Sequence, residues 1–227
     1  MLVVGVDGCK TGWIAISLGD RKDPEGHYLP TIDALESLAS EADAVAIDMP
    51  IGLPAEGVRE ADRRAREFLG ARRNSVFLTP VRDAIEAQTH ALATQAAVIR
   101  TGSGVSQQAY ALGKKILEVE RWLPHRRVGC TRCTRRCRSP SCSGPRRRLR
   151  RRPVPVMVER RRALEAAGVS LDSVGAESFA AARASVDDML DATVAAWSAA
   201  RIARGAARSF PDPPQIDASG RRMAVWA

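Results

Sequence analysis

Two aspartates, Asp7 and Asp48, stand at the ends of short apolar runs whose composition predicts buried β-strands. Open α/β sheets usually place their sites where strands end, so neighbouring strands would bring the two carboxylates together. A late helical stretch adds Asp187, Asp188 and Asp191. Their spacing places Asp188 and Asp191 on one helix face, with Asp187 beside them. Several carboxylates at one point need cations, because like charges otherwise raise each other's pKa.

Ligand sets made only of oxygen favour Mg²⁺ or Mn²⁺ over zinc. Two such ions can activate a water molecule and stabilise the leaving oxygen during phosphodiester hydrolysis. The pattern therefore predicts a metal-dependent phosphodiesterase or nuclease in which Asp7 bridges the ions. The structural alternative is that Asp7 binds the amides of the turn after it, while Asp187 and Asp188 stabilise a helix N-terminus through its dipole.

The elements that must position these residues follow an α/β order. Apolar patterning predicts a β-hairpin over 1–7 and 13–18, a third strand near 27–29, a short helix near 32–39 and a buried strand over 44–48. Helices are predicted over 58–69, 81–99 with a break, 106–122, 158–167 and 185–203, with a last short strand over 222–226. This order predicts an α/β ribonuclease-H-like fold, a mixed sheet of antiparallel strands 1–3 with parallel additions, flanked by helices. The fifth strand of that fold is expected to be lost.

The chain of 227 residues with 45% hydrophobic content predicts a single domain with one core. No apolar run approaches the roughly 18 residues that cross a bilayer, and no basic leader precedes the first strand. We therefore expect a soluble cytoplasmic protein with no membrane partner. The net charge of +9 is concentrated in residues 126–152, which carry twelve arginines and no acid, and the rest of the chain is mildly acidic.

The motifs around the aspartates resemble those of a known family. Residues 5–9, Gly-Val-Asp-Gly-Cys, with Gly12 and Trp13, and residues 46–54, Ala-Ile-Asp-Met-Pro-Ile-Gly-Leu-Pro, are similar to the domain-of-unknown-function 429 family, described as predicted ribonuclease-H-like nucleases. Further similar motifs follow in the family's order at 72–77, 106–110, 115–119, 188–192 and 196–197. The resemblance covers residues 1–124 and 157–226.

The resemblance implies a nuclease-like hydrolase that acts on nucleic acid or another phosphodiester with bound Mg²⁺ or Mn²⁺. The implied catalytic residues and metal ligands are Asp7, Asp48, Asp188 and Asp191. Arg72 and Arg73 are candidate phosphate contacts, with an exposed structural pair as the alternative. Glu118 would support the site, with a solvated helix carboxylate as the alternative.

Residues 126–156 depart from the family pattern, which has there a strand and a His-Pro-Glu motif whose glutamate would be a further acidic site residue. Residues 132–143 can be encoded by a set of codons that has a second meaning. When reading starts two nucleotides later, the same nucleotides encode Val-His-Pro-Glu-Val-Ser-Phe-Ala-Glu-Leu-Leu. We therefore hypothesise that residues 125–156 are translated out of frame. The hypothesis accounts for the arginines, the cysteines and the lost strand together. It implies a low-complexity segment and a copy whose activity is impaired. A solvated, disordered insertion in the correct frame is a separate alternative.

Three alternatives stay open. A zinc site would use the thiolates of Cys130, Cys133, Cys137 and Cys142. Zinc is disfavoured because the later spacings are irregular, and no aromatic residue interleaves for base stacking. A non-catalytic nucleic-acid-binding protein would use the arginines to neutralise phosphates. An actin- or sugar-kinase-like phosphotransferase would present Asp7 and the hairpin glycines to phosphate, but the chain is short for two lobes.

Overall fold

The central sheet has four strands in the order β3-β2-β1-β4. The computed structural model describes residues 1–20, 23–123, 132–133, 153–171, 174 and 184–227. The strands are β1 (Leu2–Gly8), β2 (Trp13–Gly19), β3 (Glu25–Leu29) and β4 (Ala44–Ile47). β1 and β3 pair antiparallel with β2, whereas β4 runs parallel to β1. The predicted α/β class and the mixed sheet expected of a ribonuclease-H-like fold are confirmed.

The middle of this sheet is buried on both faces. Every valine of β1 is fully buried, and all four residues of β4 are buried, as expected for near-continuous apolar strands. The parallel register pairs Val6 with Ile47, and the Asp48 amide donates to the Val6 carbonyl at 2.8 Å. Asp7, still within β1, and Asp48, directly after β4, therefore lie side by side.

Helices cover the sheet and extend beyond it. They are α1 (Glu36–Glu41), α2 (Glu60–Leu69), α3 (Arg82–Ile85), α4 (His90–Thr101), α5 (Gln107–Ala111), α6 (Gly113–Trp122), α7 (Pro153–Ala166) and α8 (Val186–Ala203), with 3₁₀ turns at Ile32–Leu35 and Gly70–Ser75. The expected break in the helix over 81–99 falls between α3 and α4. Thr89 starts α4 there, because its hydroxyl accepts a hydrogen bond from the Leu92 amide. The predicted helix over 106–122 is divided into α5 and α6.

Helix α8 lies directly on β1. A Cβ atom added to Gly5 would fall 1.9 Å from the Ala196 amide nitrogen and 2.2 Å from the Ala192 carbonyl oxygen. The contact is this close because glycine and alanine leave room for the two backbones. The packing fixes α8 relative to the end of β1, where Asp7 lies.

A second, three-stranded sheet has the order β5-β7-β6, formed by β5 (Arg132–Cys133), β6 (Ser209–Ile216) and β7 (Arg222–Trp226). The predicted strand over 222–226 is β7. Sequence patterning missed β6, because its prolines cannot donate to a ladder and argue against a strand. The pairing of β6 with β7 is irregular between Phe210 and Gln215, where those prolines lie.

Of the arginine- and cysteine-rich residues 126–152, the structure describes two, residues 132–133. These form β5, which pairs in parallel with β7. The remainder, including Cys130, Cys137 and Cys142, lies outside the described residues. The out-of-frame, zinc and disorder hypotheses for it therefore stay predictions, as does the single-domain organisation. Helix α7 begins at Pro153, upstream of the start predicted at residue 158.

Among the described helices, none combines the length and the apolar character needed to cross a membrane.

Candidate metal centre

Three of the predicted aspartates meet at one point. Asp7 from β1, Asp48 after β4 and Asp191 from α8 each offer a carboxylate oxygen, and these oxygens lie within 4.8 Å of one another. Asp7 is 0% exposed and Asp191 is 3% exposed, whereas Asp48 is half-buried. Oxygens on opposite sides of Mg²⁺ lie about 4.2 Å apart, twice the metal–oxygen distance, so the group is close to the size of a filled site.

The Asp7 carboxylate is oriented by its own turn. Its Oδ1 accepts a hydrogen bond of 2.8 Å from the Gly8 amide. The structural alternative raised by the sequence, binding of a turn amide, is thus observed for this oxygen. It does not compete with a metal role, because the same carboxylate also belongs to the three-aspartate group. A carboxylate held by a backbone amide is preorganised for a ligand.

A cation of the chain also reaches the group. The Nη1 of Arg160, on α7, lies 3.1 Å from Asp191 Oδ1 and 3.6 Å from Asp187 Oδ1. The Arg160 side chain is 13% exposed, and the Asp191 side chain is 2% exposed, so this ion pair is poorly screened by water. Sequence reasoning missed Arg160, because three arginines in a row on a helix give no signal as to which one turns inward.

The structure does not bring Asp188 to the group. Asp188 accepts a hydrogen bond from the Ser185 amide at 2.8 Å, and the Ser185 hydroxyl accepts one from the Asp188 amide at 3.2 Å. The two residues form a capping box at the start of α8. Asp187 is exposed beside it. The alternative of a role at the helix N-terminus is observed for Asp188, while Asp187 lies in the same first turn near Arg160. A metal-ligand or catalytic role for Asp188 stays a prediction.

The candidate phosphate contacts lie on the surface. Arg72 and Arg73 are both exposed in the 3₁₀ turn after α2. Arg73, with Arg66 and Asn74, lines an open surface cavity of about 610 Å³. The Arg73 carbonyl accepts a hydrogen bond from Arg66 Nε at 3.2 Å. Neither arginine is among the residues that meet at the carboxylates, and their role in binding phosphate stays a prediction.

A lysine that the sequence analysis did not single out lies beside Asp7. Lys115 Nζ donates to the Gly12 carbonyl at 2.7 Å and lies 4.3 Å from the centre of a Trp13 ring. Burial lowers the pKa of Lys115, while the charges of Glu118, Cys9 and Asp7 act to raise it. The sequence signal that could have identified Lys115 is its position at the start of the family-like motif over residues 115–119.

Glu118 contacts the site through the same tryptophan. Its Oε2 accepts a hydrogen bond of 3.0 Å from Trp13 Nε1, and the Trp13 side chain is fully buried. This bond fixes the orientation of the indole ring that faces Lys115, and the supporting role of Glu118 stays a prediction.

The fold and the three carboxylates define an α/β protein with a candidate metal centre where the neighbouring strands β1 and β4 end. The chain belongs to the family described as protein of unknown function (DUF429), whose model matches residues 5–216. This match confirms the family resemblance seen in the motifs and includes all three clustered aspartates. No curated protein and no solved structure matches the chain.

Proposed function

We propose that this chain is a metal-dependent phosphodiesterase or nuclease of the ribonuclease-H-like type. The observation that carries the proposal is the meeting of Asp7, Asp48 and Asp191 from three separate elements. Three ionised carboxylates this close repel one another, and two of them are buried, where water screens their charges little. Divalent cations compensate such a group, and Mg²⁺ and Mn²⁺ are the ions that prefer an all-oxygen set.

When bound, these ions would activate a water molecule and stabilise the charge that develops on the phosphate. The contribution of the chain is the placement of the ligands. β1 and β4 deliver Asp7 and Asp48 from neighbouring strand ends, and α8 delivers Asp191 from above the sheet. Asp7 is central because its strand contacts both β4 and α8. Nucleic acid is the proposed substrate class, since a phosphodiester is the bond this chemistry cleaves.

The proposal is tested by hydrolysis of bis(p-nitrophenyl) phosphate and of labelled DNA, RNA and RNA–DNA hybrid, with Mg²⁺ and with Mn²⁺. We expect metal-dependent cleavage that falls at least ~100-fold in Asp7→Asn, because the amide keeps the shape and loses the charge. Asp83→Asn is the matched control, since Asp83 is an exposed aspartate paired with Arg100. Equal activity of the wild type and Asp7→Asn would overturn the assignment.

The same assay is run on a chain whose residues 125–156 are replaced by the shifted reading frame. If the segment is out of frame, the restored glutamate adds a carboxylate, and the restored protein should cleave faster than the present one. Sequencing the gene across codons 120–160 and finding no shifted His-Pro-Glu frame would reject that hypothesis while leaving the three-aspartate site untouched.

A further inference from the structure

Lys115 lies against the end of β1, the strand that supplies Asp7. A Cβ atom added to Gly8 would fall 2.7 Å from Lys115 Cδ and 3.0 Å from Met49 Cε. Gly8 follows Asp7, so the lysine stem passes the chain directly after that carboxylate, and the tip of the Met49 side chain reaches the same place. The absence of a side chain at Gly8 makes this path open.

Lys115 is held by a ring face and a carbonyl, while the charges of Glu118 and Asp7 act on it from beyond ion-pair distance. Its ammonium faces the Trp13 ring and donates one hydrogen bond, to the Gly12 carbonyl. Within the residues that the structure describes, Lys115 forms no ion pair. An ammonium has three donors, and a ring face with one carbonyl engages only part of that capacity. A partly buried cation of this kind is suited to an anionic ligand that arrives with the substrate.

We propose that Lys115 binds an anionic phosphate oxygen of the substrate while Asp7, Asp48 and Asp191 hold the metal ion. This inference rests on the proposed function and names the group that recognises the substrate's charge. Trp13 and Glu118 act as positioning residues. The Glu118–Trp13 hydrogen bond fixes the indole, and the indole and the Gly12 carbonyl fix the ammonium.

The test measures the binding of inorganic phosphate to the Mg²⁺-loaded protein by calorimetry, and KM and kcat for bis(p-nitrophenyl) phosphate. Lys115→Gln keeps a donor and loses the charge, and Lys115→Arg keeps the charge. Lys114→Gln is the matched control, because Lys114 is the exposed neighbour on α6. We expect Lys115→Gln to weaken phosphate binding and raise KM by about tenfold or more, the usual loss for a hydrogen bond to a charged group.

The conservative variants separate a ligand contact from a structural role. Lys115→Arg should recover most of the phosphate affinity, and Lys114→Gln should match the wild type. Glu118→Gln keeps an acceptor for Trp13 and should raise KM less than Glu118→Ala does, and both variants should change KM more than kcat. Circular dichroism checks that each variant is folded. If Lys115→Gln is not folded, Lys115→Met replaces it as the variant without the charge.

The outcomes distinguish this inference from the proposed function. A wild-type protein that binds no Mn²⁺, or binds it no better than Asp7→Asn does, would overturn the proposed function. Unchanged phosphate affinity and KM in Lys115→Gln, in a protein that still binds Mn²⁺ through Asp7, would overturn the role of Lys115 alone. A wild-type protein that binds Mn²⁺ but no phosphate would also overturn the role of Lys115.

Discussion

The guanidinium of Arg160 lies 3.1 Å from the carboxylate of Asp191, within the group of carboxylates that we assign to a metal ion. The chain thus supplies a cation to its own acidic site. Arg160 lowers the repulsion among the aspartates when no metal is bound, and it competes with the positive charge of an arriving ion. Metal binding must therefore overcome, or rearrange, this ion pair.

Removing that cation should tighten metal binding. We expect Arg160→Gln to raise Mn²⁺ affinity about fivefold to tenfold, near 1 kcal/mol, because a competing charge beside one ligand is lost. Mn²⁺ titration followed by electron paramagnetic resonance measures the change. Arg161→Gln is the matched control, since Arg161 pairs with Glu165 and is exposed. Weaker Mn²⁺ binding in Arg160→Gln would show instead that Arg160 organises the ligands.

The two aspartates of α8 should behave differently. Asp191→Asn should weaken Mn²⁺ binding at least ~10-fold, because it removes a charged ligand. Asp188→Ala should leave Mn²⁺ binding unchanged and destabilise the protein by about 1 kcal/mol, the usual cost of losing a helix cap. Calorimetry and thermal unfolding of both variants measure the contrast. Loss of metal binding in Asp188→Ala would show that Asp188 is a metal ligand.

Sequence patterning placed Asp7 and Asp48 at strand ends because the apolar run before each of them is a local signal. Their meeting was expected from the element order of the fold, which makes the two strands neighbours. Asp191 and Asp188 could not be separated in advance, since helix spacing permits both to share a face. The deciding interaction is the capping box with Ser185, which holds Asp188 at the helix end. Arg160 and Lys115 were missed because the contacts that bring them to the site join residues distant in sequence. The mixed sheet, with strands 1–3 antiparallel and a parallel strand added, was predicted, whereas proline-rich β6 was not.

The close approach of α8 to β1 should make Gly5 sensitive to any side chain. We expect Gly5→Ala to destabilise the protein by about 3 kcal/mol or more, and to weaken Mn²⁺ binding, because the added methyl would push α8 and Asp191 away from Asp7. Gly113→Ala is the control, since its Cβ would meet Ile85 at an ordinary 3.5 Å. Thermal unfolding of the two variants gives the comparison. A fully stable Gly5→Ala would contradict the described packing.

Glu120 should stabilise the fold rather than the site. It is 5% exposed and forms ion pairs of 2.7 Å with Arg82 and 3.1 Å with Arg221, which tie α6 to α3 and to the loop before β7. Glu120→Gln should cost about 1–3 kcal/mol, discounted for the partial exposure of both arginines. Glu86→Gln removes the exposed partner of the same Arg82 and should cost at most ~0.5 kcal/mol. Chemical denaturation measures the free energy of unfolding of both variants. Equal losses of stability would contradict a stabilising role of the buried Glu120 ion pairs.

The central claim is that Asp7, Asp48 and Asp191 hold a divalent ion, and Mn²⁺ binding to the wild type and to Asp7→Asn tests it most directly. Electron paramagnetic resonance measures the concentration of free Mn²⁺ during the titration, and Asp83→Asn is the control variant. We predict saturable Mn²⁺ binding in the wild type and the control, weakened at least ~10-fold in Asp7→Asn. Equal Mn²⁺ affinity in the wild type and Asp7→Asn would contradict the claim.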